Sequence, residues 1–195
     1  MGTTLCAITN SRSFDFNDIS AVAEPIVTAL NQIPFTVSQS YDYRGPEQIE
    51  KGAWEYEVRE ENEPPLIEID GTSVFYLSLY ANITEISSIY RYHLIYRAKE
   101  LDWWQKARKE LYAIVKTVGG TEVIWLPDQS YDLLVPYMCD MVWEGASYAD
   151  VKNQMLQDLG EPVKDYNRLS LDTINSEKPV RQWFLDDFAD LKRAS

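Results

Sequence analysis

One histidine and two cysteines in 195 residues leave most hydrolytic, transfer and zinc chemistries without their usual side chains. General bases, proton shuttles and metal ligands are most often imidazoles, and His93 is the single candidate. Set among tyrosines in the run ISSIYRYHLIYR, it reads as a structural ring. A Cys139–His93 nucleophilic couple has no support, because such pairs are recognised by geometry rather than by sequence distance. Zinc sites use several Cys and His at short spacings, which three residues spread over the chain do not provide. Cys6 and Cys139 make no disulfide framework and read as reduced thiols, although a single bridge between them stays open.

Long apolar runs are also missing. None approaches the ~18 residues that a membrane-spanning helix requires. The opening MGTTLCAITNSRSF has neither a charged stretch nor a long apolar one, so it does not read as a secretory leader. Cys6, where Ser or Thr is needed, makes Met1-Gly2 a poor myristoylation signal. The expected setting is cytoplasmic and soluble. No G-x-G-x-x-G, G-x-x-x-x-G-K-[ST] or G-x-S-x-G run occurs, and no cofactor is expected. The sequon at Asn82 carries no weight without a secretory signal. Internal repeats and low-complexity tracts are absent as well.

Acid and aromatic side chains are what the chain has in abundance. Thirty-one Asp and Glu face eighteen Lys and Arg, a formal charge of −13, alongside 6 Trp, 13 Tyr and 6 Phe. Acidic disordered chains are poor in aromatics, so a folded domain is expected. An ordinary core is within reach at this length. A charge of this sign repels nucleic-acid phosphates and anionic lipid surfaces, so neither nucleic acid nor membrane is an expected partner.

The charge is unevenly placed. Residues 47–70 hold nine acidic and two basic side chains, whereas residues 91–116 hold seven basic and three acidic. Lys106, Arg108, Lys109 and Lys116 on a helix read as a plain solvated face.

Periodicity divides the chain into elements. Leu5–Thr9 reads as a short buried strand. Ile19, Val22, Ile26, Ala29, Leu30 and Ile33 trace a helix capped by Asp15, Asn17 or Asp18, with Pro25 expected to kink or restart it. Phe35–Tyr43 alternates as a strand, followed by a turn at Gly45-Pro46. Trp54, Tyr56 and Val58 alternate with Glu55, Glu57 and Arg59, a half-exposed strand with a charged outer side. Leu66–Ile69 and Val74–Tyr80 flank Asp70-Gly71, a two-residue hairpin signal. Residues 86–97 fit strand or helix, with strand favoured by their Tyr and Ile content.

Residues 100–118 form an apolar-striped helix stopped at Gly119-Gly120, and Glu122–Leu126 is a buried strand. A helix is expected over Tyr131–Val142, bent at Pro136. Ser147 with Asp150 makes a capping box for a helix burying Tyr148, Val151, Met155 and Leu159.

These elements predict an α+β fold, a mainly antiparallel sheet packed on one face by helices. Residues 1–161 make the domain, 162–178 an irregular linker, and 179–195 a C-terminal helix with Trp183, Phe184, Phe188 and Leu191 along one side. That helix is expected to dock on the domain, or else to form a homodimer contact.

Three functions from different classes follow. The first is a non-enzymatic binding protein of the immunity-protein or inhibitor type, which neutralises a basic partner such as a toxin or an enzyme. Its docking surface is expected at Trp54, Glu55, Tyr56, Glu57, Glu60, Glu61 and Glu63, with the aromatics as anchors and the carboxylates as steering charges. Acidic residues at 186–190 would add to it. Edge protection against sheet-to-sheet aggregation explains the same glutamates equally simply. The second is a carboxylate and divalent-metal enzyme around Glu122, Asp128, Asp132 and Asp140, though Asp128 also suits an ordinary turn and cap. The third is a homo-oligomeric assembly subunit.

Overall fold

Seven antiparallel strands form the centre of the computed structural model, in the spatial order Glu55–Val58, Ile67–Asp70, Phe75–Leu79, Ile83–Arg91, Thr4–Asn10, Val123–Pro127 and Phe184–Asp186. It describes residues 4–34, 39–42, 45–48, 52–59, 67–71, 75–91, 101–127, 135–164 and 183–194. The strands are β1 (Thr4–Asn10), β4 (Glu55–Val58), β5 (Ile67–Asp70), β6 (Phe75–Leu79), β7 (Ile83–Arg91), β8 (Val123–Pro127) and β9 (Phe184–Asp186). β2 (Gln39–Asp42) and β3 (Gly45–Gln48) pair as a separate hairpin. The expected α+β class, with its antiparallel sheet and a C-terminal helix, is the architecture observed.

Side chains one residue apart point to opposite sides of a strand, so register assigns each residue to a face. Tyr56, Ile69, Leu77, Ile86, Ala7, Trp125 and Phe184 line up across all seven strands. This row faces α1 (Ile19–Leu30) and α2 (Leu101–Thr117), whose Ala23, Ile26, Leu30, Ala107, Leu111, Ile114 and Val115 are buried against it. The neighbouring row on the other face runs Glu57, Glu68, Ser78, Glu85, Ile8, Ile124 and Leu185. It changes from polar to aliphatic between β7 and β1. The aliphatic half packs with Tyr137 and Val142 of a π-helix (Val135–Val142) and Val151 and Met155 of α3 (Tyr148–Leu159). Helices therefore lie on both faces of the sheet rather than on the single face expected, because the β1–β8–β9 half is aliphatic on its second side as well, and the polar half of this row falls on the β4–β7 side.

Local signals explain most boundaries. Asp18 caps α1 by accepting the Ala21 N–H at 3.1 Å. Pro25 lies inside one continuous helix. It is exposed, as is Ala21, so the carbonyl that proline leaves unbonded is on the solvent side. Ser147 and Asp150 form the reciprocal capping box of α3. Gly119, at φ 81°, ends α2 as glycine there should. Gly120 follows under tighter constraint, since a Cβ would lie 2.4 Å from Thr9 Oγ1 and 2.5 Å from the Asn10 carbonyl oxygen.

Several expectations are corrected. Gly45-Pro46 is not a turn but the start of β3, paired with Asp42 and Tyr41. Asp70-Gly71 is not a two-residue hairpin loop, because the Ile69↔Leu77 register places the reversal beyond Gly71. Residues 83–91 are strand, which settles the ambiguous segment as far as Arg91. Residues 135–142 take the wider π-helix, with Pro136 in the first turn, where no helical donor is required.

The C-terminal stretch is not one helix from Pro179. Trp183 leads into β9, and α4 spans only Ala189–Ala194. Between them Phe188 holds φ 54°, a left-handed conformation that interrupts any helix. Trp183 is buried on the α3 face and Phe188 on the α2 face, so both pack in the chain's own core. Residues 35–38, most of the proposed linker, and Pro179 lie outside the described residues.

Candidate functional site

β4 is an edge strand, and its placement begins with Trp54. The Trp54 N–H donates to Asn31 Oδ1 at 2.8 Å, and the Trp54 carbonyl accepts from Asn31 Nδ2 at 3.1 Å. Asn31 closes α1, so the helix end fixes the entrance of the strand. The indole of Trp54 is 9% exposed and packs in the main core. It crosses so close to Gly71 that a Cβ there would lie 2.8 Å from Trp54 Cδ2. Trp54 therefore anchors the strand internally and presents no ring to a partner. Tyr56 points to the helix-covered face, half-buried, with its hydroxyl 3.4 Å from Ser20 Oγ.

Glu55 and Glu57 occupy the other face of β4 and are exposed. Register sets Glu55 opposite Asp70 and Glu57 opposite Glu68 on β5. Directly opposed residues have Cβ atoms roughly 5 Å apart, close enough for their charges to act on each other. A recess of about 540 Å³ runs along these strands, lined by Ala53, Glu55, Tyr56, Glu57, Glu68, Asp70 and Gly71. Its lining carries four carboxylates and no cation.

Two of the four are partly engaged. Arg59 Nη2 donates to Glu68 Oε2 at 2.8 Å, and Asp70 Oδ1 accepts the Gly71 N–H at 2.7 Å. Glu55 and Glu57 have no ion-pair partner among the described residues. Glu60, Glu61 and Glu63 follow β4 in the chain but lie outside the described residues. Glu68 and Asp70 belong to the face although neither was named as a site residue from sequence. The alternation of IEID, with Ile67 and Ile69 turned inward, was the signal, but only the register makes it face β4.

The other acidic segment behaves differently. Arg108 donates through Nε and Nη2 to Asp186 at 2.8 Å each, and through Nη1 and Nη2 to Asp190 at 3.0 Å each. These bonds hold the Arg108 guanidinium well above its ordinary pKa, while burial opposes them. Asp186 is 3% exposed. Asp186 is thus engaged inside the domain, whereas Asp190 shares Arg108 from the surface, with its side chain 59% exposed, and Asp187 is exposed. Arg108 likewise departs from the solvated face expected for it, whereas Lys106, Lys109 and Lys116 are exposed.

The proposed carboxylate centre does not assemble among the described residues. Glu122 is ion-paired with Lys152 Nζ at 2.6 Å beside Tyr148, whose phenol burial pushes far above its usual pKa. Asp140 is exposed, and Asp128 and Asp132 lie outside the described residues, as does His93. No group of three or more His, Cys, Asp or Glu positioned for a metal ion occurs among the described residues. No helix among them is long and apolar enough to cross a membrane.

No protein-family model, curated protein or solved structure matches this chain.

Proposed function

We propose that this chain is a non-enzymatic binding protein that neutralises or blocks a basic macromolecular partner, a toxin or an enzyme, as immunity proteins and inhibitors do. One observation carries the reading: Glu55 opposes Asp70 and Glu57 opposes Glu68 at the sheet edge. Like charges directly opposite each other destabilise a sheet. Glu55 and Glu57 have no ion pair among the described residues to offset this repulsion, and a cationic partner converts the same arrangement into an attractive one. The carboxylates then compete for the cationic groups with which the target holds its own substrate. A field of this kind raises association rates by roughly 10- to 1,000-fold at low salt. The two-cysteine content is in keeping with a reducing, cytoplasmic setting.

The test is affinity purification of the tagged chain from its native cells at low and at high salt, in parallel with a Glu55→Gln/Glu57→Gln variant. The reading expects a basic protein retained at low salt, released at high salt and absent from the variant. Recovery of the chain alone at both salt concentrations contradicts it.

A further inference from the structure

The two ends of the seven-stranded sheet are finished differently. At β9, Val163 forms a bridge to Phe184 and donates its N–H to the Trp183 carbonyl at 2.9 Å. At β4, nothing among the described residues pairs with the outer side of the strand. The Asn31 clamp reveals which groups are left there. The N–H and C=O of a strand residue leave on the same side, and sides alternate along the chain. Both groups of Trp54 go to Asn31 and not to β5. By the same alternation Tyr56 and Val58 direct theirs away from β5, while those of Glu55 and Glu57 face it. Asn31 therefore imitates a neighbouring strand at Trp54, and the imitation stops one step before Tyr56.

The side chains along this edge state what would continue it. Glu55 and Glu57 are exposed on one face, and Val58, on the other, is a large apolar side chain left 52% exposed. A second copy of the chain is a poor occupant, because the in-face antiparallel registers that overlap most of β4 set Glu55 against Glu57 or Glu57 against Glu57.

We propose that the outer edge of β4 is a strand-addition site for an extended segment of the partner in which basic and apolar residues alternate. Main-chain hydrogen bonds to Tyr56 and Val58 supply affinity. Lys or Arg side chains meet Glu55 and Glu57, and apolar ones meet Tyr56 and Val58. The inference rests on the binding-protein reading and adds the shape and pattern of what is bound.

Three peptides of equal composition and charge test it on the full chain at low salt. One alternates lysine and valine, one carries the same sequence with every second amide N-methylated, and one groups its lysines and valines into two blocks. The alternating peptide binds about tenfold tighter than the other two, as the loss of one or two main-chain hydrogen bonds predicts. On binding it, the amides of Tyr56 and Val58 become protected from hydrogen exchange, whereas those of Glu55 and Glu57 change little. Val58→Pro removes one outward donor without touching the β4–β5 ladder and weakens only the alternating peptide. Should that variant fold poorly, the N-methylated peptide on the unaltered chain makes the same comparison. Equal binding of all three peptides with no protection at Tyr56 and Val58 overturns strand addition and leaves the acidic-face reading standing. Binding of none overturns both.

Discussion

Asn31 at the end of α1 hydrogen-bonds both main-chain groups of Trp54, so one carboxamide joins a helix terminus to the strand that carries the exposed glutamates. Removing it leaves a partly buried donor and acceptor without partners. Asn31→Ala is expected to destabilise the fold by about 1–3 kcal/mol. Asn31→Asp keeps the acceptor and loses the donor, and should fall between wild type and Asn31→Ala. Urea denaturation of the three proteins checks the order.

The Trp54 ring and Gly71 are a second constraint on the same strand. A Cβ at Gly71 would lie 2.8 Å from Trp54 Cδ2, so Gly71→Ala forces the indole aside at about 1–3 kcal/mol. Because the two residues touch, Gly71→Ala and Trp54→Phe should be non-additive in a double-mutant cycle by about 0.5 kcal/mol or more. Additive effects would mean that the ring does not feel the new methyl.

Arg108 is the corresponding anchor for the C-terminal strand. Its side chain is 12% exposed and satisfies Asp186, which is 3% exposed. Replacing it with Met leaves a buried carboxylate unpaired, at about 3–5 kcal/mol. Limited proteolysis should then open the chain around residues 187–194 before the rest of the domain. Unchanged resistance there would argue that β9 is held by its ladder to β8 alone.

Asp190 gives a pH dependence with a definite sign. Hydrogen bonds from Arg108, ahead of all other influences, hold its carboxyl below the ordinary aspartate range. A depressed folded pKa stabilises the protein above the unfolded value of about 3.9, and that stabilisation disappears as pH falls through the folded value. Wild type should therefore lose stability on acidification more steeply than Asp190→Asn. The side chain is 59% exposed, so solvent screening keeps the difference below about 1 kcal/mol. Thermal midpoints of both proteins across the acid limb provide the comparison.

Local features were readable from sequence, and features depending on distant pairing were not. The capping box of Ser147 and Asp150 and the glycine stop after α2 each lie within a few residues, and both stand as expected. Glu55 and Glu57 were legible as one outward side because alternation is local. Their opposition to Glu68 and Asp70 required the β4–β5 register, which no short window contains. Trp54 looked like a docking anchor because its burial depends on Gly71 and on Asn31, 23 residues away. The C-terminal segment failed for a similar reason. Trp183, Phe184 and Phe188 suit a helical stripe, but pairing with β8 and the clamp from Arg108, 78 residues from Asp186, favour a strand.

The opposed carboxylates are expected to serve a partner at the expense of the fold. Measuring stability and partner affinity on the same Glu55→Gln/Glu57→Gln protein tests that most directly. Relief of two like-charge oppositions predicts a domain more stable by a few tenths of a kcal/mol, up to about 1, together with affinity for the basic partner that drops at least tenfold and loses most of its salt dependence. A variant that binds as tightly as wild type at low salt, whatever its stability, would contradict the account and leave the glutamates as edge protection.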